Sequence, residues 1–268
     1  MARGIATTRT RRSLLTLCGA AIGALIALTP ALAQNGPPAA PAVTAPAVSK
    51  SCQTGTVATA DETPLPNVAA ALARRKVLRI LAMGAAPGRV NASVGGYTAL
   101  IETMLERTLK GVDVIMINRG VSGELAANAA TRMRNEVALE SPDLVLWQVG
   151  TNDALAYVPT DEFVATLKNQ ISWLRAHHVD VVLVGLQFAN EMLRDAHYVE
   201  IRESLRKLAA QENVIVIRFY EAMQIINSAA EPGQPADGDF EHIDTDYNCL
   251  AQYVARAITL GVFAIPRR

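Results

Sequence analysis

Five short apolar segments recur between residues 77 and 219 of this chain, and a segment with helical spacing follows each of them. They are apolar throughout, as is typical of parallel strands that are covered on both faces. The predicted strands are Val77–Met83, Val112–Ile117, Asp143–Val149, Val179–Leu186 and Val214–Phe219. The predicted helices are Thr98–Lys110, Glu124–Glu140, Asp161–His177, His197–Glu212, Glu221–Ser228 and Asp244–Leu260. This alternation predicts an α/β fold, a three-layer sandwich around a parallel five-stranded sheet.

The first 33 residues have the pattern of an export signal. An apolar stretch, Leu14–Leu28, precedes the small residues Ala31-Leu32-Ala33, and the start is basic through Arg3, Arg9, Arg11 and Arg12. The stretch is too short and too rich in Ala and Gly for a stable membrane span. Thr10–Leu15 also resembles a twin-arginine signal, so the export route stays open. We therefore predict a periplasmic or secreted protein.

The remaining chain divides into a Pro/Ala-rich linker, residues 34–60, and one domain, residues 61–268. Cys18 leaves with the leader, which leaves Cys52 and Cys249. In an oxidising compartment two thiols favour one disulfide, and two buried free thiols are the alternative. Loss of the four leader arginines leaves 21 basic and 25 acidic residues, a formal charge of −4. With no basic stripe, nucleic acid is not an expected partner.

The segments that follow the predicted strands should meet at one edge of the sheet, where ligands of open α/β sheets collect. One of them contains Asp239 and, three residues later, His242, after a loop rich in Gly, Pro and Asp. This acid can hold the Nδ1 proton of the imidazole and leave Nε2 as a base. The alternative is that Asp239 only caps a turn. We expect His242 to precede the last helix.

Two further residues at this edge could stabilise negative charge. Asn152 ends a buried strand, and its amide could donate to a developing oxyanion. Gly123 lies where the second strand meets the second helix, and its backbone N–H could be a second donor. Ordinary turn chemistry is the alternative for both, because Gly and Asn favour unusual backbone angles.

Together these residues resemble the SGNH (GDSL-type) hydrolases, in an exported bacterial branch, over roughly Lys76 to Leu260. The resemblance implies a flavodoxin-like fold and an ester-hydrolysing site without metal or cofactor. Gln187 matches a glutamine of that branch and is expected to bind substrate, as are Gly150 and Asp153. The four family blocks fall at Gly84-Ala85-Ala86, Gly123, Gly150-Thr151-Asn152-Asp153 and Asp239 to His242.

The first block departs from the family, because Ala86 occupies the position of the nucleophilic serine. Alanine has no nucleophilic atom, so the acyl-enzyme route cannot run through this position. Ser93, or a water activated by His242, could substitute for the serine. The sequence therefore favours an exported hydrolase homologue, weak or disarmed, that acts on acyl or O-acetyl esters of envelope lipid or glycan. The alternatives are a glycan- or acyl-binding protein that uses the same cleft, and an envelope protein whose cleft is vestigial.

Overall fold

The computed structural model describes residues 44–55, 63–84, 96–188, 192, 194–229 and 240–264, except the side chains of 227, 229 and 240–246. These residues belong to a single unit. The predicted leader, Ala86, Ser93, Asp239 and the side chain of His242 lie outside the described residues. Within them, no helix is long and apolar enough to cross a membrane.

Five strands form one parallel sheet in the order β2-β1-β3-β4-β5, which confirms the predicted fold class. The strands are β1 (Val77–Gly84), β2 (Asp113–Asn118), β3 (Leu144–Gln148), β4 (Asp180–Val184) and β5 (Ile215–Ile217). The helices are α1 (Pro66–Arg75), α2 (Gly96–Thr108), α3 (Ala126–Glu140), α4 (Thr151–Leu155), α5 (Thr160–Ala176), α6 (Ala196–Gln211), α7 (Phe219–Ala229) and α8 (Phe240–Phe263).

The sheet separates two apolar cores, as its uniformly apolar strands require. Side chains of α1, α2 and α8 pack on one face, against residues such as Ile80, Leu146 and Val184. Side chains of α3, α5 and α6 pack on the other face, against residues such as Leu81 and Trp147. Neighbouring residues of one strand therefore point into different cores.

Helix α1 was not predicted, because its start depends on a residue far away in the sequence. Pro66 suits the first helical position, where its missing N–H is not needed. The next two backbone N–H groups, of Asn67 and Val68, both donate to Asp180 Oδ2 at 2.9 Å. The Asn67 amide adds a bond of 2.7 Å to Oδ1 of the same carboxylate. Asp180 begins β4, so this cap joins two elements that are distant in sequence.

Strand β2 lies at an edge of the sheet, and carboxylates of α2 cover its outward N–H groups. Glu102 accepts from Met116 N at 3.1 Å, and Glu106 accepts weakly from Val114 N at 3.4 Å. An uncovered row of strand N–H groups would be a template for pairing with another chain. These bonds therefore protect the edge.

Residues 44–55, part of the predicted linker, are fastened to α8. The Cys52–Cys249 disulfide is present, as predicted, with 5.2 Å between the two Cα atoms. The Tyr253 hydroxyl donates to the carbonyl of Cys52, and the backbone N–H of Ser49 donates to Gln252 Oε1 at 2.7 Å. We call residues 44–55 the strap.

Candidate active site

The loop after β3 turns sharply at Gly150, which has a φ of +103°. A Cβ atom at this position would lie 2.6 Å from Leu186 Cδ1. Both observations favour glycine, because other residues rarely adopt this φ and the space is occupied. Gly150 therefore lets α4 begin at once after the strand, with Asn152 in its first turn.

Asn152 links α4 to the turn that precedes α3. Its side chain is half-buried, and Nδ2 donates to the carbonyl oxygen of Glu124 at 3.0 Å. An amide nitrogen carries two hydrogens, so this bond leaves one for a ligand. The same bond fixes the direction of the amide group.

Gly123 lies beside Glu124, whose carbonyl accepts from Asn152, and the space where a side chain would begin is open. It has a φ of +77°, and an added Cβ would meet no atom of the described residues within 4 Å. Its backbone N–H has no hydrogen-bond acceptor among the residues that the structure describes. The two predicted oxyanion donors, Asn152 Nδ2 and Gly123 N, thus belong to neighbouring segments at the carboxyl edge of the sheet.

The side chain of Arg132, in α3, binds both a side chain and a backbone carbonyl of this turn. Its Nε and Nη2 atoms donate to the two carboxylate oxygens of Glu124 at 2.9 and 2.8 Å, a bidentate pair. Nη2 also donates to the carbonyl of Arg119 at 2.7 Å. The hydrogen bond with Glu124 raises the pKa of the Arg132 guanidinium, so the cation is stabilised here. Arg132 therefore fixes the start and the end of the turn that contains Gly123.

The side chain of Asp153 faces inward and accepts hydrogen bonds from backbone N–H groups of the protein. Its side chain is 2% exposed, and Oδ1 accepts from the backbone N–H of Ala126 at 2.9 Å, the first residue of α3. Burial raises the pKa of the Asp153 carboxyl, although backbone hydrogen bonds from Ala126, Asp153 and Gly150 oppose the shift. Asp153 thus joins α4 to α3, while its predicted contact with substrate stays a prediction.

Gln187 connects three elements around the end of β4. Its Nε2 donates to the hydroxyl of Tyr247 in α8 at 2.6 Å, and its backbone N–H donates to Thr151 Oγ1 at 3.0 Å. Its carbonyl accepts from the hydroxyl of Tyr198 in α6 at 2.7 Å. Burial raises the pKa of Tyr198 to about 12, so this hydroxyl stays a donor at neutral pH. Gln187 is half-buried and lies at the edge where the predicted pocket opens.

His242 lies in the first turn of α8, which begins at Phe240. The expectation that His242 precedes the last helix is therefore wrong. Its segment carries Glu241 and Asp244, and acidic residues favour the start of a helix because they interact with its dipole. His242 is five residues before Tyr247, about 7.5 Å along the helix axis at 1.5 Å per residue.

Sequence reasoning missed Arg132, Glu124 and Tyr247 as parts of this region. Arg132 and Glu124 are eight residues apart, one in a helix and the other in the turn before it. Their spacing could therefore have indicated an ion pair. Tyr247 contacts Gln187 across 60 residues, and no local pattern indicates that contact.

A separate groove of about 1230 Å³ lies at the opposite edge of the sheet, lined by the amino ends of β4 and β5. It is not the candidate active site, because the predicted donors lie at the carboxyl ends. The described part of the chain contains no group of three or more His, Cys, Asp or Glu residues that could hold a metal ion.

Two relatives with known names are similar to parts of this chain. An arylesterase from Vibrio mimicus is 31% identical over 77 residues, which cover 29% of this chain and 38% of the relative. Esterase TesA from Pseudomonas aeruginosa is 27% identical over 126 residues, 47% of this chain and 61% of the relative. The chain therefore spans less than two thirds of the length of either relative.

Solved structures share the fold at low sequence identity. An α/β hydrolase enzyme from the metagenome of Lake Arreo has a TM-score of 0.56 and 19% identity, over 68% of this chain and 96% of that one. A catalytic mutant of an acetylxylan esterase from Geobacillus stearothermophilus has a TM-score of 0.56 and 20% identity, over 68% and 94%.

The family model of the non-GDSL lipase-like family matches residues 51–264, which include all five strands and both predicted oxyanion donors. This match agrees with the resemblance to SGNH hydrolases that the sequence motifs indicated. The chain belongs to the non-GDSL lipase-like family.

Proposed function

We propose that this protein is an exported ester hydrolase that acts slowly on acyl or O-acetyl esters of envelope lipid or glycan. One observation carries the proposal. Asn152 Nδ2 and Gly123 N lie in neighbouring segments at the carboxyl edge of the sheet, and within the described residues each has a hydrogen left to donate. Two such donors suit the oxyanion of an ester-hydrolysis intermediate.

The proposed reaction uses water as the nucleophile, because Ala86 has no nucleophilic atom. His242 Nε2 takes a proton from water, while Asp239 holds the Nδ1 proton. The water oxygen bonds to the ester carbonyl carbon, and the carbonyl oxygen becomes an oxyanion that accepts from Asn152 and Gly123. The intermediate then expels the alkoxide, which takes the proton back from His242. The products are a carboxylic acid and an alcohol.

The expected rate is low but measurable. Loss of a serine nucleophile costs on the order of 10⁶ in turnover, whereas oxyanion donors and binding retain roughly 10³ to 10⁴ over the reaction in water. The two donors should therefore retain part of the rate acceleration without the serine. Restoring the hydroxyl at position 86 should raise turnover by several orders of magnitude.

The ester class follows from the relatives, whose names include an arylesterase, an esterase and an acetylxylan esterase. All three names state that an ester is cleaved, and one of them names an acetyl ester. The envelope as the proposed location of the substrate is supported by the sequence pattern of residues 1–33, which predicts an export signal.

A second candidate function is binding of a glycan or acyl chain without turnover. Ala86 favours it, because the donors alone can bind a carbonyl oxygen without a nucleophile. Binding and hydrolysis predict different responses when a serine is introduced.

The test compares four proteins that lack residues 1–33: the unmodified chain, Ala86→Ser, His242→Ala and Ala86→Gly, the last as a matched control. Each is incubated with p-nitrophenyl acetate and butyrate and with a fluorophosphonate probe. We expect slow hydrolysis by the unmodified chain, loss with His242→Ala, and faster hydrolysis with covalent labelling only for Ala86→Ser. Rapid labelling of the unmodified chain at Ser93 would overturn the water route. Silence of all four proteins would overturn the proposed hydrolysis.

A further inference from the structure

Gln148 is the last residue of β3, and its side-chain amide is buried without a partner. The residue is 2% exposed. Neither Nε2 nor Oε1 has a hydrogen-bond partner within the described structure. Folded proteins leave few buried polar groups unpaired, because each such group has lost its hydrogen bonds to water. The Gln148 amide, which can both donate and accept hydrogen bonds, therefore has neither an acceptor nor a donor beside it in the described structure.

The direction of this side chain follows from the alternation along β3. Leu144 and Leu146 point into the core beneath α2 and α8, whereas Val145 and Trp147 point into the opposite core. Gln148 is two residues after Leu146 and four after Leu144, so its side chain points to the same face, toward α2 and α8.

Along the strand direction, Gln148 lies at the same end of the sheet as the candidate active site. Gln148 pairs with Gly84 and with Val184, the last residues of β1 and β4. A Cβ atom at Gly84 would overlap the carbonyl oxygen of Gln148, so this neighbour must lack a side chain. The amide therefore lies in the last layer of the sheet before the carboxyl edge.

The same face and edge hold other polar side chains. Gln187 bonds to Tyr247 of α8, whose ring lies 5.5 Å from that of Tyr97 in the first turn of α2. Helix α8 also carries His242. Gln148 thus belongs to the edge and the layer in which the proposed reaction takes place.

We propose that Gln148 binds a hydroxyl group in this site. An amide presents a hydrogen and a lone pair, and a hydroxyl group presents the matching pair. A carboxylate or phosphate would leave Oε1 unpaired, and an ammonium group would leave Nε2 unpaired. Two sources supply such a group: a water molecule or an alcohol hydroxyl of the substrate. The inference rests on the proposed function, since it assigns a ligand contact to the same site.

Gln170 provides a matched control. This residue of α5 is 1% exposed, and both of its amide atoms also lack partners. It packs in the opposite core, among Phe163, Leu167 and Ile171, away from α2 and α8. Methionine has nearly the length and volume of glutamine without polar atoms. The test therefore compares Gln148→Met with Gln170→Met.

Both variants should melt at or a few degrees above the unmodified protein, because each removes an unpaired buried amide. Only Gln148→Met should change function. Hydrolysis is measured in the unmodified or the Ala86→Ser background, with p-nitrophenyl acetate and an acetylated methyl glycoside. If the hydroxyl is water, kcat falls about tenfold for both esters, the effect of one lost hydrogen bond. If it belongs to the substrate, KM rises only for the glycoside.

A second measurement separates this inference from the proposed hydrolysis. The side-chain amide signal of Gln148, identified by its loss in Gln148→Met, is followed by NMR during titration with a methyl glycoside. A shift of that signal, or a cross-peak to a long-lived water, supports the hydroxyl site even if no ester is hydrolysed. The inference is overturned if Gln148→Met matches Gln170→Met in every functional measure and the signal shows neither effect. A melting temperature well below that of Gln170→Met would also overturn it, because the amide would then have an internal structural partner.

Discussion

The disulfide should be the largest single contribution to the stability of this domain. Cys52 and Cys249 are 197 residues apart, and the cross-link removes the loop-closure entropy of that segment from the unfolded chain. The chain-entropy relation gives about 5 kcal/mol at 25 °C for a loop of this length. A domain of this size loses roughly 2–4 °C per kcal/mol, so we expect a fall in melting temperature of about 10–20 °C.

The folded state should survive the loss, because the strap has other contacts with α8. Tyr253 donates to the carbonyl of Cys52, and Arg256 donates to the carbonyl of Pro46 at 3.1 Å. Both cysteines are almost fully buried, so Cys52→Ala/Cys249→Ala leaves a small space without an unpaired polar atom. The effect should therefore come mainly from the unfolded state.

Calorimetry and urea unfolding of the double variant and of the unmodified protein with and without reductant measure this effect. The double variant and the reduced protein should agree in melting temperature. Removal of the cross-link should also raise the m-value, because the unfolded chain can then expand. Tyr253→Phe is the control: it removes one strap contact and should cost only about 1 kcal/mol. A loss below about 1 kcal/mol with an unchanged m-value would refute the entropic reasoning.

Three further predictions concern the site. Gly150→Ala should cost about 2–5 kcal/mol in urea unfolding, from strain at positive φ and overlap with Leu186; no loss would contradict the local packing. Arg132→Met, which leaves the Glu124 carboxylate unpaired, should lower kcat by about 10²-fold with little change in KM, and Arg132→Met/Glu124→Gln should recover part of the stability but not the rate. Because the pKa of Asp153 is raised by burial, folding favours its protonated form. Its contribution to the free energy of unfolding is thus largest below pH 3.8, the ordinary pKa of this carboxyl, and falls as the pH rises through the raised pKa. As the pH rises through this range, Asp153→Asn should therefore gain stability relative to the unmodified chain. A difference in the free energy of unfolding that does not change with pH would contradict the raised pKa of Asp153.

The strands could be predicted to within two residues at every end, because fully apolar runs between helical segments can form few other structures. Helix α4 could not be predicted, since its five residues, which follow Gly150, are too few to show a helical period. Helix α1 could not either, because Asp180 caps it from 112 and 113 residues away. Local sequence contains the apolar pattern but not the partner of a long-range cap.

The candidate site shows the same division. Asn152 and Gly123 were predicted from short motifs, because the positions after strands converge at one edge. The contacts that orient them were not, since Arg132 reaches Glu124 from the second turn of α3 and Gln187 reaches Tyr247 from another layer. Prediction from sequence therefore indicated candidate donors but not the residues that orient them.

Three consecutive residues of α4 bear on how the Ala86→Ser variant would separate hydrolysis from binding. Thr151 accepts from the backbone of Gln187, Asn152 donates to Glu124, and Asp153 accepts from the backbone of Ala126. The bonds of Asn152 and Asp153 both reach the segment from Glu124 to Ala126, and the bond of Thr151 reaches Gln187. Glu124 therefore fixes the direction of the Asn152 amide through a bond in which residue 86 takes no part. We expect Ala86→Ser to leave this bond unchanged, so a gain of activity in that variant would come from the added hydroxyl.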